Sequence, residues 1–195
     1  MPSTRRALLG AAAGALAGGL AGCSALSGSA TSSRHVPPRG DPVTDYAIAR
    51  HVVDGERQLF HWTGDDDRPD EQLFLATPAE RSAVSFDDAD GSPVAGFAAE
   101  TDLETHSLVL VQARHGACQR LDVFGVTKRP DEVRLHRCRA PRPADEQCSM
   151  GDRQSTALAV RLPFDGRSLS EGLNAVESSR CEDRFGPYRD GGANR

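Results

Sequence analysis

From residue 42 onward, apolar positions come in short runs that alternate with polar ones and are cut by turn residues. This period of two is the mark of half-buried strands. Tyr46–Val53 and Arg57–Trp62 are two such runs, divided by Asp54-Gly55, a pair that favours a tight hairpin turn. Gln72–Ala76 is a third. Thr77-Pro78-Ala79-Glu80 then has the spacing of a capping box with proline at the first helical position, and predicts a short helix over about 78–84. Ser107–Gln112 is apolar at consecutive positions, as expected of a strand covered on both faces. In Cys118–Val126, Leu121 and Val123 alternate with Arg120 and Asp122. After the turn at Lys128–Asp131, Val133 and Leu135 alternate with Arg134 and His136. Thr156–Leu162 and Leu173–Ser178 complete a set of about eight strands with no βαβ alternation. The expected fold is all-β: an antiparallel β-sandwich of about eight short strands with one short helix.

The first 40 residues follow a different pattern. Thr4-Arg5-Arg6-Ala7-Leu8-Leu9 opens an Ala/Gly-rich apolar stretch that ends near Leu20, shorter than the ~20 residues a helix needs to span a bilayer. Leu20-Ala21-Gly22-Cys23 closes it. A hydroxyl residue, two arginines and a mildly apolar core follow, in that order, the pattern of an export signal, and the small residues before Cys23 resemble the cleavage site of lipoproteins. Arg5 and Arg6 are the export signal and Cys23 the lipidation site. Ser24–Gly40 holds five serines and the Pro37-Pro38 pair without apolar periodicity, the composition of a tether. The expected organisation is a signal peptide over 1–22, a lipidated cysteine and disordered tether over 23–40, and one β-rich domain over 41–195.

Charge narrows the partners. The chain has 23 basic and 28 acidic residues, and two of the basic ones belong to the signal. Acidic groups cluster at Asp65-Asp66-Asp67 and at Asp87-Asp88 with Asp90, and Lys128 is the single lysine. An acidic chain gains nothing general from counterion release on nucleic acid, so no nucleic-acid partner is expected. The expected partners are the membrane, through the lipid on Cys23, and an envelope protein. The expected location is the extracytoplasmic face of the cell membrane.

Beyond Cys23 there are four cysteines, Cys118, Cys138, Cys148 and Cys181. An even number on the exported side implies two disulfides. Cys118–Cys138 is possible across a hairpin, and Cys118–Cys148 with Cys138–Cys181 is equally open. His136, Cys138, Cys148 and Met150 are residue types that copper accepts, but no histidine lies between Cys148 and Met150 as a cupredoxin ligand loop requires, and no zinc spacing occurs. No metal and no cofactor are expected. His51, His61, His106, His115 and His136 are scattered, and no nucleophile elbow, metalloprotease, phosphate-loop or dinucleotide motif is present. Glu100, Asp102 and Glu104 alternate as on a strand edge. Trp62, the single tryptophan, is expected in the core.

The pattern Thr4–Leu9 plus Leu20–Cys23 resembles uncharacterised twin-arginine lipoproteins of haloarchaea and high-GC bacteria. Residues 97–163, with the order Ser107–Gln112, His115-Gly116, Cys118–Val126 and the proline-bearing Ala140–Pro143, resemble accessory subunits of surface protease complexes, without that family's glycine-tyrosine turn. The first resemblance implies a surface-displayed lipid-anchored lipoprotein and the second bears on fold alone. The expected disulfide-stapled β domain, the tether and the lack of a catalytic constellation point to a non-enzymatic binding or assembly module. The alternatives are an extracytoplasmic hydrolase or metal-dependent enzyme using Glu100 and Asp102 or His136, and a purely structural envelope protein.

Overall fold

The computed structural model describes residues 40–69, 71–88, 91–169, 172–178 and 181. The expected export signal with Arg5 and Arg6, the expected lipidation site Cys23 and nearly all of the expected tether lie outside the described residues.

The described chain is all-β with two short helices. Its elements are β1 (Asp41–Val43), β2 (Ala47–Asp54), β3 (Phe60–Trp62), β4 (Gln72–Leu75), α1 (Pro78–Ser82), β5 (Val84–Phe86), α2 (Pro93–Glu100), β6 (Ser107–Gly116), β7 (Gln119–Lys128), β8 (Glu132–Pro141), β9 (Arg153–Leu162) and β10 (Gly172–Ser178). One sheet has the order β1-β7-β8-β10 and a second has β2-β9-β6-β4, while β3 and β5 form a separate pair. There are ten strands among the described residues rather than eight. Pairing is antiparallel except for β10, which lies parallel to β8.

Why Leu108–Val111 of β6 are apolar at every position follows from their place. The β2-β9-β6-β4 sheet is a middle layer. On one face Leu108 and Leu110 of β6, Leu73 and Leu75 of β4 and Ala157 and Ala159 of β9 pack with Val94 and Ala98 of α2, Phe60 and Leu103. On the other face Val109, Val111, Leu158, Val160 and Leu162 meet Leu121, Val123, Val126, Val133 and Leu135 of the β7–β8 hairpin. Successive side chains on a strand point to opposite faces, so a strand with two cores has no polar face to show. The small Ala157 and Ala159 lie on the face that carries α2 and leave room for it.

Three sequence expectations are corrected. Asp54-Gly55 does not join a hairpin: β2 pairs with β9 along its whole length and β3 pairs with β5. Gly55 does take the left-handed φ of 84°, but its turn is tied to β9, with its N–H on the Arg153 carbonyl at 2.8 Å and its carbonyl accepting from Ser155 Oγ at 3.0 Å. Next, Arg57–Leu59 is not strand, because the Gln112 side chain takes a neighbouring strand's place. Its Oε1 accepts from Leu59 N–H at 2.8 Å and its Nε2 donates to the Phe60 carbonyl at 2.8 Å. Finally, there are two helices. α1 has the expected capping box, with Thr77 and Glu80 exchanging bonds, but it ends at Ser82, and residues 84–86 form β5. α2 starts at Ser92, whose Oγ accepts from Ala95 N–H at 3.3 Å, with Pro93 in its first turn. The Arg81 guanidinium donates to the carbonyls of Ala99 at 3.2 Å and Thr101 at 2.8 Å, closing the end of α2.

Candidate functional site

One end of the sandwich gathers the chemistry-bearing residues. The C-terminal ends of β2, β6, β8 and β10 and the N-terminal ends of β7 and β9 all lie there, as their registers require. Both disulfides lie there too: Cys118–Cys148 and Cys138–Cys181, each with Cα atoms 5.2 Å apart. The open choice of pairing is thereby decided, and the cross-hairpin alternative fails because Cys138 sits opposite Asp122 in the β7–β8 register. With Cys138 and Cys148 both bridged, neither sulfur is a free thiolate, and His136 Nε2 instead lies 3.1 Å from Thr127 Oγ1. No group of histidine, cysteine, aspartate and glutamate able to hold a metal occurs among the described residues.

A cleft of about 860 Å³ opens at this end, between the turn at Asp54-Gly55, Ala117, and the loop that runs from Arg142 to Arg153. The loop is fixed at both ends and in the middle. The Arg142 N–H donates to the Cys118 carbonyl at 3.0 Å, the Ala117 N–H to the Asp152 carbonyl at 2.9 Å, and the Cys118–Cys148 bridge holds its centre. Met150 stands at its tip with 93% of its surface exposed, while Cys148 lines the cleft.

Beneath the loop the inter-sheet space turns polar. On β6 and β9 the residues that continue the apolar rows of Val109, Val111, Leu158 and Val160 are His115, Thr156 and Gln154, all buried. His115 Nε2 lies 2.9 Å from Thr156 Oγ1, and its Nδ1 lies 3.2 Å from the Gly116 carbonyl and 3.3 Å from Gln154 Nε2. Gln154 also donates to the Gln119 carbonyl at 2.9 Å and accepts from Arg142 Nη2 at 2.6 Å. Burial holds the His115 imidazole below its ordinary pKa. The bond to Gly116 opposes this, and the charges of Arg139, Arg142 and Arg153 add to it.

From the other sheet, Arg137 and Arg139 lie opposite Val123 and Leu121 in the register, on the core-facing side of β8. Glu177 of β10 serves both, at 3.4 Å from Arg137 Nε and 2.9 Å from Arg139 Nε. Those distances are ion-pair distances, but the angles are not those of hydrogen bonds. Arg137 Nε and Nη1 and Arg139 Nε are therefore buried without an acceptor among the described residues. Burial lowers the Arg137 pKa, opposed by Glu177 and Glu71. A second, smaller cavity of about 280 Å³ adjoins Glu71 and is lined by Arg57, Gln58, Glu71, Gln112, Ala113 and Arg114.

The carboxylates singled out in the sequence do not sit on a strand edge. Glu100 ends α2, and Asp102 closes the following turn through the Glu104 N–H at 3.0 Å and Thr105 Oγ1 at 2.9 Å. Those bonds, the Glu104 one first, hold Asp102 below the usual carboxylate range. His136, on β8, belongs to the other sheet, so these groups do not converge. Trp62 is partly buried against the α2-side core. Arg68 stacks 4.3 Å from its ring centre, and its Nε1 donates to the Asp66 carbonyl at 2.9 Å. A Cβ at Gly64 would overlap the Trp62 ring, so the acidic loop folds flat onto the indole.

The cleft, His115 and the arginines of β8 were not singled out as a site by sequence reasoning. The available signal was the fading of apolar character along β6, where Val109 and Val111 give way to Ala113 and His115 in the same row. No family model, curated protein or solved structure matches the chain.

Proposed function

We propose that the chain is a lipid-anchored, surface-displayed lipoprotein that binds or assembles with an envelope partner through the disulfide-clamped end of its sandwich. The observation that carries this reading is the pinned loop Arg142–Arg153, which presents an almost fully exposed Met150 beside a cleft of about 860 Å³. A long apolar side chain held out on a braced loop is suited to insertion into a partner's pocket, and a rigid scaffold lowers the ordering cost of association. The flexible tether composition after Cys23 supports display away from the bilayer, and no helix of the described residues is long and apolar enough to cross it.

Two measurements test the reading. A photo-crosslinking residue at position 150 should give one discrete adduct in native membranes, whereas the same residue at position 176, on β10, should not. Equal or absent labelling at both positions would remove the partner from the proposal. Cys23→Ser should shift the protein from the detergent phase to the aqueous phase or leave it as uncleaved precursor. Unchanged partitioning of mature-sized protein would remove the anchor.

A further inference from the structure

The geometry points to a small-molecule subsite beside the cleft, in which Arg57 and Arg114 receive the carboxylate, and Glu71 the ammonium, of a compact zwitterion of the α-amino-acid class. The inference rests on reading this end as a binding surface and supplies a ligand class for it.

Three charged side chains line the cavity of about 280 Å³: two guanidiniums and one carboxylate. Most arginines at this end are engaged, Arg142 with Gln154, Arg153 with Glu56 at 2.7 Å, and Arg137 and Arg139 with Glu177. The Arg57 and Arg114 guanidiniums make no hydrogen bond or ion pair with another described residue. Their backbones are nonetheless fixed. Arg57 N–H donates to Ser155 Oγ at 2.8 Å, and Arg114 sits in the β6–β9 ladder opposite Ser155. Gln112 forms a rigid floor, with its N–H on the Glu71 carbonyl at 3.0 Å and its amide spent on Leu59 and Phe60.

The charge pattern selects the ligand. A guanidinium is a planar fork of donors that matches a carboxylate, and two of them favour an anionic group. Glu71 in the same wall repels a dianion such as phosphate and attracts an ammonium. Arg57, Glu71 and Arg114 are exposed, so the recess of about 280 Å³ takes a compact ligand with one end left in solvent.

The test is calorimetric titration of the purified full chain with L-alanine, L-glutamine, acetate and inorganic phosphate. Saturable binding of an amino acid is expected, at least tenfold tighter than acetate. Arg57→Gln and Arg114→Gln should each weaken it tenfold or more. Glu71→Gln should weaken the amino acid yet tighten acetate, an inversion that loss of fold cannot produce. Phosphate binding tightest, no saturation by any probe, or equal effects of Glu71→Gln on amino acid and acetate would each overturn the subsite. The crosslink from position 150 reports separately. If it persists while amino-acid binding fails, the subsite alone is lost; if it vanishes while amino-acid binding holds, the partner reading alone is lost.

Discussion

His115 carries the polar end of the core, and its neighbours decide its charge. Buried and surrounded by Arg139, Arg142 and Arg153, it stays neutral in the fold at pH values where an unfolded histidine is protonated. Between its ordinary pKa near 6.5 and its lower folded value, the unfolded chain binds more protons than the native one. Stability therefore falls as the solution is acidified through that window. His115→Gln removes the titration and, by leaving Thr156 and Gln154 poorly matched, is expected to cost about 1–2 kcal/mol at pH 7. The discriminating measurement is the urea midpoint at pH 7 and pH 5. The wild-type midpoint should drop more between the two than that of the variant, and parallel drops would exclude His115 as the group responsible.

Among the elements, those specified by local chemistry were legible and those specified by distant partners were not. The capping box of Thr77 and Glu80 marks α1, and the turn at Arg129–Asp131 marks the β7–β8 hairpin. The double-faced burial of β6 was legible from its consecutive apolar residues. Asp54-Gly55 misled because a hairpin needs two strands that want each other, and β2 finds a longer partner in β9, about a hundred residues on. α2 escaped notice because Pro93–Glu100 is rich in alanine with Gly96 inside it, and so lacks a sharp apolar stripe. Its start was written in Ser92-Pro93, a cap followed by proline. Ser92→Ala is expected to cost about 1 kcal/mol, seen as a lower thermal midpoint and faster amide exchange in residues 93–100. The site was harder still to read. Its residues come from β6, β8, β9 and two loops, and no local period records that Arg137 of β8 meets Glu177 of β10.

At the scale of the whole molecule, both covalent staples fasten the same polar end, where the hydrophobic core gives least. The apolar rows that join the two sheets stop near Ala113 and Leu121, and beyond them the contacts are hydrogen bonds and ion pairs. The bridges span 30 and 43 residues, and restriction of the unfolded chain by loops of that size contributes about 3.5–4 kcal/mol each. Their local effects differ. Cys118–Cys148 braces the cleft loop, whereas Cys138–Cys181 lies just past β10, the parallel edge strand held to the sandwich through β8. In the intact protein, alkylation without reductant should therefore label none of Cys118, Cys138, Cys148 and Cys181 by intact mass, and two or more labelled thiols would defeat the two-bridge arrangement. The paired variant Cys118→Ala with Cys148→Ala should keep β10 protected from amide exchange and lose the crosslink at position 150. The paired variant Cys138→Ala with Cys181→Ala should do the reverse, exposing residues 172–178 while the crosslink persists. The same response in both variants would mean that the two bridges support one cooperative end and not two separable structures.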